Sequence, residues 1–140
     1  NRFEQNLFSF NVLEIVKRQL GEEFFLDQGA VSNSEQIELL KPKITNDRGN
    51  VYGWGSGSDG NKMSFAVWNV RWLNWSGTRS TTASTVTNIN LPINNANEYI
   101  DSDGICRFIA YSNASDGTTA SSLNIDYANY QFTIELSMNE

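Results

Sequence analysis

The chain has 140 residues, a formal net charge of -6, four tryptophans, one cysteine and no histidine. That length suits one domain of ordinary size rather than two, and an acidic chain without a Lys/Arg-rich stretch is a poor partner for phosphate backbones, so no nucleic acid is expected. The missing histidine and the lone Cys106 exclude Ser-His-Asp and Cys-His nucleophiles, histidine metal sites, a cysteine zinc site and an intrachain disulfide, leaving only carboxylate, tyrosine or lysine chemistry for an enzyme.

The first element is a helix. In "SFNVLEIVKRQLG" Asn11 is placed as N-cap with Glu14 three residues on, as in a capping box, and Phe10 and Ile15 are spaced for a hydrophobic staple. Lys17 and Arg18 suit the last turn and Gly21 the left-handed stop. A helix is therefore expected near residues 12 to 20, continuing an earlier turn from Arg2 to Phe8. Phe3, Leu7, Phe8, Val12, Leu13, Ile15, Val16 and Leu20 are too many apolar groups for a solvated helix, which offers a route to attachment or to homo-oligomerisation.

After Gly21 the pattern reads as strands. "EEFFL", "EQIELL", "VYGW", "KMSFAVWNVRW", "STVTNINL", "ICRFIAYS" and "LNIDYANYQFTIELSM" are separated by Gly-, Asn- and Asp-rich stretches at the spacing of an antiparallel sandwich. Asp59-Gly60, Asp103-Gly104 and Asp116-Gly117 mark turns that tolerate positive φ, and Pro42 and Pro92 belong at strand ends or edges. "SGTRSTTASTVT" reads as a loop followed by a solvated strand. In the last run Ile125 and Tyr127 share one parity, while Tyr130, Phe132, Ile134, Leu136 and Met138 share the other, which predicts a β-bulge near Ala128-Asn129. "ICRFIAYS" is apolar in both parities, as a central strand is, with Cys106 as a small buried hydrophobe.

The expected fold is thus all-β: an antiparallel, jelly-roll-like β-sandwich of seven or eight strands over residues 22–140, preceded by a short N-terminal α-helix acting as a linker over 1–21. The apolar runs fall far short of the roughly 20 residues that span a bilayer, so no membrane partner is expected.

Every tryptophan falls between residues 54 and 75, three of them in "WNVRWLNWSG". If Met63, Phe65 and Val67 face the core, the opposite parity turns Trp68 and Trp72 outward, flanked by Arg71 and Trp75. Such a surface suits a sugar, whose apolar C–H face stacks on indole while its hydroxyls pair with Asn, Asp, Gln or Arg. The plainer reading is that part of the cluster is ordinary core. Tyr52 and Trp54, in the glycine-rich "NVYGWGSGSDGN", are either ligand contacts offered from a loop or a cap beneath a turn. The candidate site residues are Trp72, Trp75, Trp54 and Arg71, then Trp68 and Tyr52.

"DSDG", "NDRGN" and "SNASDG" raise a structural calcium ion, but "DSDG" continues with Cys106 and Phe108 where an EF-hand needs oxygen donors, and turn chemistry explains these stretches better. No cofactor is expected. A glycosidase would need two carboxylates facing across a cleft, which sequence does not pair. Asn74-Trp75-Ser76 and Asn113-Ala114-Ser115 match the N-glycosylation triplet.

The run "EYIDSDGICRFIAYSNASDGTTASSLNIDYANYQFTIEL", with "KMSFAVWNVRWLNW" before it, resembles the carbohydrate-binding-module-like sandwich domains of tail and baseplate proteins from phages of Gram-positive bacteria, and "LFSFNVLEIVKRQLGE" looks like the connecting helix of such a module. The resemblance covers residues 22 to 140 by overall pattern, with no fixed motif. It implies a non-catalytic adhesion domain, in a virion or otherwise extracellular, whose partners are host cell-surface polysaccharide and other tail or baseplate proteins. The alternatives are a structural module of the assembly without a ligand, and a binding module beside a glycoside hydrolase.

Overall fold

The computed structural model describes residues 4–137. With 49% of the described residues in strands and 21% in helices, the chain is all-β by class, but it carries more helix than the sequence suggests. Among the described residues eight strands form two antiparallel sheets. The first has the order β1 (Gln5–Asn11), β7 (Ile105–Ser112), β4 (Met63–Asn69), β5 (Asn74–Thr81). The second centres on the long β2 (Ile44–Gly57), which pairs with β6 (Thr87–Pro92), with β8 (Ser122–Ile134) and, through the tight turn Ser58-Asp59, with the short β3 (Gly60–Asn61).

The sheets pack face to face around aromatic rings. Phe108 of β7 stacks on Phe65 at 5.2 Å and meets Tyr130 of β8 at 6.0 Å and Phe10 of β1 at 5.9 Å. Directly across from it β2 carries Gly49, where any Cβ would overlap the Phe108 ring. The glycine lets the two backbones approach closely enough to bury that ring. Val51, Ile89, Leu91, Met63 and Val67 complete the layer between the sheets. Asp47 is buried there as well, and its carboxylate accepts from the Tyr130 hydroxyl at 2.8 Å and from the Asn94 N–H at 3.0 Å, the partners a buried charge requires.

One end of the sheets is closed by helices. The helix α1 (Val12–Leu20) starts where expected, with the Asn11 side chain accepting from the Glu14 N–H. Gly21 stops it at positive φ, with ψ 162 rather than the left-handed helical value. Preceding it is not a helical turn but strand β1, in which Phe8 and Phe10 point toward the core and pair with Phe108 and Cys106 of β7. A run such as Leu7-Phe8-Ser9-Phe10 is ambiguous by periodicity, and pairing with β7 decides it. The helix accordingly follows the first strand, and Val12, Leu13 and Val16 lie fully in the core, so β1 and α1, residues 5–20, are built into the two-sheet body. Phe3, Arg2 and Met138 lie outside the described residues.

"EEFFL" and "EQIELL" are helices, α2 (Glu23–Leu26) and α3 (Asn33–Leu40), not strands. Ser32 and Glu35 form a complete capping box at the start of α3, and Ile37 and Leu40, spaced by one turn, enter the core. Pro42 sits in the 3-10 turn Lys41–Lys43, and Pro92 is the last residue of β6. A further short helix, α4 (Ala96–Tyr99), precedes the turn into β7. The tract Ser76–Thr87 also differs from expectation: its first half is strand β5, and the loop follows it. β8 does contain a register shift, opposite Tyr52/Gly53, which places the extra residue at Asp126 instead of Ala128-Asn129. β7 is central as expected, between β1 and β4, with Cys106 fully buried. Among the described residues no helix is long and apolar enough to cross a membrane.

Candidate functional site

The outer face of the first sheet is built by simple alternation. Met63, Phe65 and Val67 of β4 go inward and are buried, which turns Ser64, Ala66 and Trp68 outward. The strand then stops at Asn69, whose Oδ1 accepts the N–H groups of Arg71 at 3.0 Å and Trp72 at 2.8 Å. Leu73, at φ 55, completes the reversal. β5 therefore returns with Trp75 directly opposite Trp68, and the two indoles meet edge to face at 5.1 Å. Beside them β7 contributes Arg107, Ile109 and Tyr111, and β1 contributes Leu7 opposite Ile109.

Two hollows flank Trp68. One, of about 350 Å³, is lined by Leu7, Ser9, Trp68, Trp75 and Arg107. The other, of about 440 Å³, shares Trp68 and Arg107 and adds Glu38, Lys41, Leu73 and Asp101. Arg107 is thus the polar group common to both. It is held by an ion pair with Asp101, whose other oxygen accepts from the N–H groups of Asp103 at 2.9 Å and Ile105 at 3.0 Å. Burial works against the charge on Asp101, but Arg107 and these two N–H groups outweigh it and hold the carboxyl below its ordinary range. The neighbouring Cys106 is unsuited to chemistry: burial above all pushes its thiol far up.

The six sequence candidates separate into three places: the first sheet, the turn after β4 and the second sheet. Trp68 and Trp75 form the aromatic pair just described, with Trp75 37% exposed. Trp72 is not on the strand with Trp68 but in the turn, 63% exposed, with the Arg71 guanidinium 5.0 Å over its ring and 3.6 Å from Glu98. It lines neither hollow. Tyr52 and Trp54 belong to β2, in regular strand rather than a loop, and face outward from the second sheet. Tyr52 lies 5.9 Å from Tyr127 of β8, and Trp54 pairs with Asn124.

Leu7, Arg107 and Tyr127 are contributors that the tryptophan spacing did not reveal. Arg107 was visible only as the polar interruption in an apolar run. The carboxylates of the Asp-Gly stretches serve turns: Asp101 as above, and Asp116 through the N–H groups of Thr118 at 2.9 Å and Thr119 at 2.7 Å. Among the described residues no group of three or more His, Cys, Asp or Glu is placed to hold a metal ion. What the arrangement offers is aromatic surface beside one oriented guanidinium. Comparisons of the chain with family models, with curated proteins and with solved structures found no match.

Proposed function

We propose that this domain is a non-catalytic saccharide-binding module that stacks a sugar on Trp75 and Trp68 and orients it through Arg107. The observation that carries the reading is the partly exposed Trp68–Trp75 pair with two hollows and a fixed guanidinium beside it. Indole faces bury the C–H side of a pyranose, and the guanidinium supplies donors to its hydroxyls. On its sequence resemblance the setting is the tail or baseplate of a phage of Gram-positive bacteria, and the fold a jelly-roll-like sandwich. The partner is then host cell-wall polysaccharide, bound by many weak sites on one particle.

The test is tryptophan fluorescence of the purified domain titrated with host cell-wall polysaccharide, repeated with Trp75→Ala and Trp72→Ala. A saturable change is expected in the wild type. Losing the Trp75 surface should weaken binding about tenfold or more, in line with the ~1.5–3 kcal/mol of a large apolar side chain. Trp72→Ala, outside the hollows, should have the smaller effect. The second reading, a structural module of the assembly, is favoured by the exposure of Leu7 at 64% and Leu73 at 71% on the same side. A titration without change for any wall polysaccharide would favour it.

A further inference from the structure

The outer face of the second sheet carries a different construction. Asn50 of β2 donates from Nδ2 to Asn129 Oδ1 and Gln131 Oε1, both at 3.1 Å, and its Oδ1 accepts from Asn90 at 3.0 Å and Asn88 at 3.3 Å. Five amides from three strands thus form one network, with Asn50 at its centre only 4% exposed although it points away from the core. Asparagine is a poor strand residue, and such conflicts between local preference and fold are expected where function imposes them.

Aromatic rings adjoin the network. Tyr52 and Tyr127 meet across β2 and β8 at 42° between ring planes, Tyr127 being 54% exposed, and Trp54 follows two residues on. From Arg48 to Trp54 the outward row of β2 runs roughly 20 Å at ~3.3 Å per residue, with no charged side chain between its ends. A face of fixed amide donors and acceptors beside open rings, with Arg48 at one end and Arg79 donating to the Asn90 carbonyl at 3.0 Å, complements a neutral polyhydroxyl chain. A polyanion meets the repulsion of a net charge of -6, and an apolar protein surface would leave the outer amide groups unpaired.

We propose that this face is a second binding site, for a neutral saccharide, so that one domain can hold two glycan segments on opposite sides. The inference takes its ligand class from the saccharide reading above but not its site, since none of its residues lines the Trp68–Trp75 hollows. Two sites on one rigid body give the domain avidity toward a polymer that reaches both, and let it bridge separate strands.

The test is heteronuclear NMR of the whole domain titrated with chitohexaose, cellohexaose and mannohexaose. Saturable shifts are expected in the side-chain amides of Asn88, Asn90, Asn129 and Gln131, weakened at least tenfold by Tyr127→Ala while the response of the Trp75 indole N–H stays. Asn90→Ala serves in its place if Tyr127→Ala does not fold. Shifts at Trp75 with unmoved amides would overturn the second site and leave the first. Shifts at the amides alone would leave the second site and remove the first, and no shift with any of the three would overturn both.

Discussion

At the scale of residues, two side chains in the turns around the Trp68–Trp75 face shape it. Asn69 ends β4 by taking two backbone N–H groups, so Trp75 and not Trp72 comes back beside Trp68. Asp101 does the equivalent for Arg107, tying the guanidinium to the turn before β7. This second role has a pH signature. The folded carboxyl of Asp101 lies below its unfolded value of about 3.9, so its stabilisation is complete above that value and is lost as pH falls through the folded one. Urea unfolding of wild type and Asp101→Asn between about pH 6 and 2 should show a gap at the upper end that closes in acid. Its size should be about 1 kcal/mol or less, as for a partly exposed pair. Glu22, Glu35 and Asp116, also lowered by hydrogen bonds, are present in both proteins and cancel in the difference.

At the scale of elements, the N-terminal segment shows what pattern reading reaches and where it stops. The α1 helix was legible because its cap, its basic last turn and Gly21 are local signals. β1 was not, because Phe8 and Phe10 acquire a strand parity only by pairing with Phe108 and Cys106, nearly a hundred residues away. For α2 and α3 the apolar runs were too short to carry a period, although Ser32 and Glu35 did hold a capping signature. The tryptophans were found but their two faces were not, since the reversal at Asn69 and the glycine-lined inner side of β2 are tertiary facts. The Asn88 and Asn90 alternation with Ile89 and Leu91 was a readable sign of a polar outer face. The same placement predicts how the chain tolerates truncation. Val12, Leu13 and Val16 are nearly inaccessible to solvent, and at ~1.5–3 kcal/mol each their burial rivals the ~5–15 kcal/mol of a whole domain. Calorimetry should therefore show a cooperative thermal transition for the 140-residue chain and none for a 22–140 fragment. An unchanged transition would mean that β1 and α1 are appended to an independent body.

At the scale of the whole molecule, net charge separates the classes of polymer that could lie on either face. Both surfaces offer rings and neutral or singly charged polar groups, so contact with a neutral glycan is short-ranged and blind to ionic strength. The field of the chain is different: at a net charge of -6 it repels a phosphate-bearing wall polymer at a distance. Salt shortens the reach of that repulsion from about 10 Å at 0.1 M to about 3 Å at 1 M. Affinity for a neutral wall polysaccharide should therefore change less than about twofold between 0.05 and 0.5 M NaCl, whereas any affinity for a teichoic-acid-type polyanion should rise across the same range. Titrations of both polymers at those two salt concentrations check this. Polyanion binding that instead weakens with salt would require a local cationic site, with Arg107 and Lys41 beside Trp68 as the first residues to replace.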